Sequence, residues 1–493
     1  MKNGFKINLS SWSDGLFHKV DTGSLVSFRI FFGLVMLWEV YRFFDRGWID
    51  RYWSEPVFNF TYEWFEWVEP LSADGMTALF YLLGLLSVFI IIGLFYRVSA
   101  WLFFLIFTYM FLLEQARYLN HFHLVILISF LMALLPAHRT FSVDSWLFPK
   151  LRSEWVPRWT VLLLQFQIGI VYFFGGIAKL NRDWLTGSPM DAWLPRRSDF
   201  PVIGSYFDLP EVIYFVSYSG LLLDLLAFPL LMIRKTRPWM VLALVMFHFM
   251  NDRLFTIGIF PWFMIAALTI FLPPDWPKQL YRYIADKSLH IKLFLIAVGL
   301  SGAYFGAWFH EGISTVPFLT AFLITLILIW DFNKKPEVPR GTIPVKLNTS
   351  ANRWIVGGLA LWVMFQVLLP LRHVAIPGNP SWTEEGHRFA WHMKLRSKSC
   401  NETFYIKHRE TGERIEINGM PFLENWQRRK VSARPQLVIQ YASYLSSISH
   451  NQPVYANIEC SLNGGPYRQL IDPGVDLTKV KFRDWKKNDW ILR

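Results

Sequence analysis

The side chains best suited to chemistry in this chain are one lysine and a few histidines and amides that open or close apolar runs. Lys179 ends such a run, Tyr172-Phe-Phe-Gly-Gly-Ile-Ala-Lys-Leu-Asn-Arg-Asp-Trp184. An amine at a hydrocarbon boundary can serve as a base, because burial disfavours its charged form. A lysine there can also simply snorkel, carrying its charge to the interface on an apolar stem. Gly175 and Gly176 leave little side chain to cover the amine and admit a close neighbour, whether helix or ligand. Asn120 and His121 open another apolar run, His248 and Asn251 lie together in Phe247-His-Phe-Met-Asn251, and His373 follows a further run. Such amides and imidazoles can orient a carbonyl or quinol oxygen. Zinc is the rival use for the histidines, but His121 and His123 point to different faces of a helix and no helical pair with a carboxylate is present, so no metal is expected.

These groups need a membrane scaffold to position them. The 493 residues are 53% hydrophobic, 18% aromatic and only 17% charged, with a mean hydropathy of +0.28. That is too apolar and too aromatic for an ordinary soluble domain. The net charge of +12 is spread over short loops and forms no basic tract, so it argues against nucleic acid and reads as a topology signal. Apolar runs are expected to span at 24–44, 76–95, 98–113, 121–135, 160–178, 212–233, 255–271, 290–309, 316–331 and 354–370. A shorter run at 239–251 reads as a half-helix or as part of one long broken helix. Counting it as a crossing with a cytoplasmic N-terminus places nineteen Lys and Arg inside and eight outside before the last span. That orientation sets Asn120, His121, Lys179, His248, Asn251 and His373 together at the outer ends of their spans. The first span, with no small-residue cleavage site before it, is expected to act as an uncleaved signal.

The expected architecture is an α-helical polytopic membrane bundle of about 9–11 segments followed by a small β-rich extramembrane domain. Its divisions are a cytoplasmic segment at 1–23, the bundle at 24–371 and an outer-face domain at 372–493. In the last, alternation at 388–395, 402–408, 436–442 and 453–462 predicts strands, and Asn463-Gly464-Gly465 predicts a hairpin turn. The two cysteines, Cys400 and Cys460, both fall there, either as a disulfide or as two buried thiols. Within the bundle, Arg29, Glu39, Glu114 and Asp224 are expected to pair across the bundle as internal polar contacts, which are more common than reactive groups.

Several motifs, in order, resemble one family. They are Asn120-His121, Gly175-Gly-Ile-Ala-Lys-Leu-Asn-Arg-Asp-Trp184, Gly220-Leu-Leu-Leu-Asp224, the segment from Phe247 to Phe260, Leu369-Pro-Leu-Arg-His373, Trp382-Thr383 and Phe389-Ala-Trp-His-Met-Lys394. From about Asp21 onward the chain resembles the vitamin K-dependent gamma-glutamyl carboxylases and their bacterial homologues, with an HTTM-type membrane domain. The resemblance implies a membrane enzyme, a carbon–carbon lyase, that uses reduced vitamin K, dioxygen and carbon dioxide to carboxylate glutamate. It implies Lys179 as the base that deprotonates the hydroquinone, whose oxygenation yields the vitamin K epoxide and the stronger base that removes the glutamate γ-proton. By the same resemblance Asn120 and His121 are catalytic, holding or polarising the oxygenated quinone or the carboxylate. His248, Asn251, His373, Gly175 and Gly176 are the expected cofactor-binding residues.

The chain departs from the mammalian members in two respects. Ala178 stands where they carry a second lysine, and the outer domain ends soon after Asp484-Trp485, which puts recognition of a propeptide-bearing substrate in question. The expected partners are a glutamate-containing exported peptide or protein and the membrane quinone. The expected location is a bacterial inner membrane, with the site facing the periplasm. Two other readings compete: a hydroquinone epoxidase that does not carboxylate, and a lipid- or quinone-binding transporter or receptor. Against the last, no inverted repeat is evident.

Overall fold

The computed structural model describes residues 15–200, 202–255, 257–285 and 350–493. The runs expected at 290–309 and 316–331 lie outside the described residues. Nine principal helices follow in order: α1 Gly23–Asp45, α2 Ala73–Ile92, α3 Tyr96–Leu112, α4 Asn120–Leu134, α5 Arg158–Ala178, α6 Pro210–Met232, α7 Arg237–Phe255, α8 Phe260–Leu268 and α9 Ser350–Leu371. Their ends follow local chemistry. The Ser72 hydroxyl accepts from the Gly75 amide at the start of α2, left-handed Gly93 ends that helix, and Pro210 occupies the first turn of α6, where its missing N–H costs nothing. Among the described residues, five segments, α1, α2, α5, α6 and α9, are long and apolar enough to cross a bilayer. The chain is an integral membrane protein built as a helical bundle.

The run at 239–251 is not a half-helix but belongs to a full helix that a second one follows after a short interruption. It lies inside the continuous 19-residue α7, and Gly258 at positive φ and Pro261 mark the entry to α8. No glycine or proline interrupts 239–255, so nothing in the sequence stops the helix earlier.

The packing of α5 on α6 matters most for the site. A side chain at Gly176 would meet the Leu225 backbone N at 2.8 Å, and one at Gly169 would run into the Phe228 ring. Seven residues apart, these two glycines lie on one face of α5 and let α6 press against it. Helix α9 joins α5 through polar side chains: Gln167 donates to Gln366 at 3.2 Å and accepts from the Trp362 indole at 3.0 Å.

Arg29, Glu39, Glu114 and Asp224 all make internal polar contacts, with other partners than one another, and Asp224 pairs across the bundle from α6 to α5. Arg29 donates to the carbonyls of Ala137 at 2.9 Å, Ile91 at 3.2 Å and Phe141 at 2.5 Å, capping chain ends that have no further helical donors. Glu39 binds Arg42 one turn on, at 2.6 Å. Glu114 accepts from Asn59, Gln427 and two backbone amides, and Asp224 binds Lys179.

The C-terminal region holds a four-stranded antiparallel sheet in the order β4-β3-β5-β6, where β1 and β2 are the short pair Lys19–Asp21 and Trp155–Pro157. The four strands are β3 Lys398–Lys407, β4 Arg414–Ile417, β5 Val454–Leu462 and β6 Arg468–Gln469. Cys400 lies opposite Cys460 and the two form a disulfide, with Cα atoms 4.1 Å apart. Asn463 and Gly464, both at positive φ, turn the chain from β5 to β6 as a two-glycine hairpin signal predicts. Helices α10 Asn425–Val431 and α11 Pro435–Ile448 cover the sheet.

Two predicted strands are absent. Residues 436–442 belong to α11, where Pro435 opens the helix and Leu437, Val438, Tyr441, Ala442 and Leu445 recur at helical spacing against Phe404 and Ile458. Seven residues are too short a window to separate the two periods. Residues 388–395 form turns, with Phe389, Trp391 and Lys394 all at φ between 51° and 59°.

Candidate functional site

Lys179 caps the C-terminal end of α5, and its side chain does not snorkel: only 6% of the residue is exposed. The amine is held by the Asp224 carboxylate of α6 and by the Gly175 carbonyl at 3.2 Å, and it lies 5.2 Å from the centre of the Trp184 ring. The glycine pair has two separate jobs. Gly176 admits α6, which carries Asp224. A side chain at Gly175 would meet Asp224 Oδ2 at 3.2 Å and Met393 Cε at 3.1 Å.

Asn120 stands at the first turn of α4. It accepts from the Tyr118 hydroxyl at 2.9 Å and donates to the His392 carbonyl at 3.0 Å, while the Tyr118 hydroxyl in turn accepts from the Phe389 amide at 2.7 Å. His392 and Met393 are consecutive, so one loop reaches Asn120 with one residue and the Lys179–Asp224 neighbourhood with the next. The two halves of the site are joined across helices by a segment from the C-terminal region. Asn463 in the β5–β6 turn fixes the same region, donating to Asp183 at 2.8 Å just beyond Lys179.

The histidines fall into two groups. His248 of α7 is buried and shares a 2.5 Å hydrogen bond with the Tyr172 hydroxyl, two turns before Lys179 on α5. Phe260 lies 6.0 Å from the rings of both His248 and His121, which bridges those two residues. Asn251 is one turn further along α7 and half-buried. His373 stands apart from these, at the end of α9. Its Nδ1 donates to the Pro370 carbonyl at 2.7 Å, and its ring lies 4.7 Å from His392, which is 4.9 Å from His387. Burial, and then neighbouring cations for His387 and neighbouring histidines for His392, hold both imidazoles well below their ordinary range, so both are neutral donors and acceptors.

Among the described residues, no group of three or more His, Cys, Asp or Glu is disposed to hold a metal ion. Also among them, His248 Nδ1, His392 Nδ1 and Trp391 Nε1 are buried without a hydrogen-bond partner. Unspent polar atoms in an apolar setting are what an oxygen-bearing apolar ligand would use.

Sequence reasoning missed Asp224 as the partner of Lys179, and it gave no site role to Tyr172, His392 and Met393, though all three lie in the motifs it singled out. A signal for Asp224 was present in the Gly169–Gly176 spacing, which marks the α5 face that a neighbouring helix approaches. Nothing in the sequence marks the 45-residue separation between Lys179 and Asp224 as a contact.

The HTTM domain model matches residues 17–276, and the model of the vitamin K-dependent gamma-carboxylase lumenal domain matches residues 351–493. No solved structure matches the chain.

Proposed function

The chain belongs to the vitamin K-dependent gamma-carboxylase family, and from that premise we propose that it carboxylates glutamate side chains of an exported peptide, with Lys179 as the base for the vitamin K hydroquinone. The observation that carries this reading is the isolated Lys179–Asp224 pair beneath the loop that also binds Asn120. Buried charges in a medium of low polarity are costly, and a lysine–carboxylate pair can relieve the cost by passing one proton between its members. With the proton on Asp224, Lys179 presents a neutral amine without any change in net charge. Asp224 is then the residue that holds the proton while Lys179 accepts one from the quinol hydroxyl.

The unspent nitrogens of His248 and His392 fit an apolar ligand that carries oxygen at its ring. Reduced vitamin K, when bound with dioxygen, supplies the oxidative driving force for removing a γ-proton that no side chain could remove directly, and carbon dioxide then adds to the carbon. Asn120 and His121 orient the ligand, with Asn120 held by the His392 carbonyl. Tyr172 fixes the orientation of the His248 ring through their shared hydrogen bond. Gly175 and Gly176 contribute by admitting Asp224 and Met393. His373 supports His392, and Asn251 lines the same helix face as His248 at a greater distance. The site lies at the end of the bundle that carries the sheet, which we assign to the periplasmic side of a bacterial inner membrane.

The test uses purified full-length protein with vitamin K hydroquinone, bicarbonate and a glutamate-containing peptide, scoring epoxide and carboxylated peptide separately. Lys179→Ala is expected to lower epoxide formation by about 10²–10⁴-fold, the usual contribution of a general base. Folded Lys179→Ala with undiminished epoxide formation would remove Lys179 from this role. Epoxide without carboxylated peptide in the wild type would reduce the activity to epoxidation.

A further inference from the structure

Away from Lys179, a small cavity lies between α1, α3 and α4. Phe43, Trp53, Phe107, Met110 and Phe122 form much of its wall, and Glu114 and Arg117 also line it. Its room suits a molecule of a few heavy atoms. Arg117, half-buried, is unusual among the cations here. Its guanidinium lies 3.5 Å over the Tyr52 ring and within 5.9 Å of the rings of Phe43, Trp48 and Phe122.

Arg117 nevertheless makes no side-chain hydrogen bond or ion pair among the described residues. The nearby acids are already committed. Glu114 accepts from the amides of Ala116 at 2.8 Å and Phe60 at 3.4 Å, and from Asn59 and Gln427 at 3.1 Å each. Glu39 is paired with Arg42. Arg42 and Arg46 also lie over Trp48, and Arg51 lies over Tyr52, so positive charge is in excess around these two rings.

We propose that this cavity is a binding site for a small planar oxyanion of carboxylate or bicarbonate size, held by Arg117. The guanidinium fork matches two coplanar oxygens, and the aromatic walls lower the polarity around it, which strengthens the attraction. The size of the cavity excludes a lipid headgroup or a peptide. The site is separate from the Lys179 site, and its test requires no catalytic turnover.

The experiment is a thermal-unfolding titration of the reconstituted full chain with sodium formate and with sodium bicarbonate, at constant ionic strength made up with chloride. The wild type is expected to show saturable stabilisation by both anions. Arg117→Gln is expected to weaken the apparent affinity at least ten-fold. Met110→Phe, which keeps the guanidinium but fills the cavity, is expected to abolish saturation and serves as the deciding variant if Arg117→Gln does not fold. A wild-type response that is linear, or reproduced by chloride alone, overturns the proposal. So does an unchanged response in either folded variant.

Discussion

Asp224 and Glu384 are both buried carboxylates, with 5% and 2% of the residue exposed, yet their surroundings differ sharply. Glu384, in the C-terminal region, accepts from Arg396 Nη2 at 2.8 Å and from Lys398 at 3.3 Å, with His387 4.0 Å away. Lys398 is itself tied to the carbonyls of Trp382 at 2.6 Å and Ala433 at 3.0 Å. Asp224, between two membrane helices, has one partner among the described residues, Lys179. A carboxylate held by several donors at once is fixed in place and anchors the loop that starts beside it. A carboxylate facing one amine can take its proton. The difference separates an ion network that builds structure from the pair to which we assign the proton transfer.

The largest expected contrast comes from removing each charge. Glu384→Gln leaves Arg396 and Lys398 buried without their counter-ion, and should cost about 3–5 kcal/mol of stability. Chemical unfolding would record this as a lowered midpoint, and an unchanged midpoint would mean the network is not structural.

Next comes the helix contact that brings Asp224 to Lys179. Gly176→Val places atoms where the Leu225 backbone now lies, and should cost about 1–3 kcal/mol through overpacking. It should also lower epoxide formation while leaving the sheet and its disulfide intact. Loss of stability with unchanged activity would uncouple the α5–α6 contact from the site.

A smaller effect is expected at Glu114, in the link between α3 and α4. Burial pushes its carboxyl up to about 7, despite the hydrogen bonds that favour ionisation. Its folded value lies above the unfolded one, so its contribution to stability is complete below about pH 4.5 and is lost as pH rises through about 7. Glu114→Gln should flatten that part of the stability–pH curve. An identical slope in the variant would assign the pH dependence elsewhere.

Much of the bundle was legible from the sequence, because long apolar runs bounded by polar loops have few alternatives to spanning helices. The β5–β6 turn was equally legible, since Asn463 and Gly464 suit the positive φ that it requires. Residues 436–442 misled because alternation and helical recurrence coincide over seven positions. The loop at 388–395 misled because its conformation is set by contacts with Asn120 and Gly175, far away in sequence. For the same reason Lys179 could be singled out by type and setting, whereas Asp224 read only as one of several polar residues inside the bundle. Its partner became visible only when the glycine face of α5 met α6.

The central claim is that Lys179 and Asp224 exchange a proton as a pair, and the most direct measurement is epoxide formation by Asp224→Asn in the purified, folded protein. An asparagine keeps the shape of the side chain but cannot take the lysine proton. The account predicts a loss of at least about 100-fold, in the range of the general-base contribution itself. It also predicts that folded Lys179→Ala/Asp224→Asn protein is scarcely worse than either single variant, since each disables the same step. Wild-type epoxide formation by folded Asp224→Asn would contradict it.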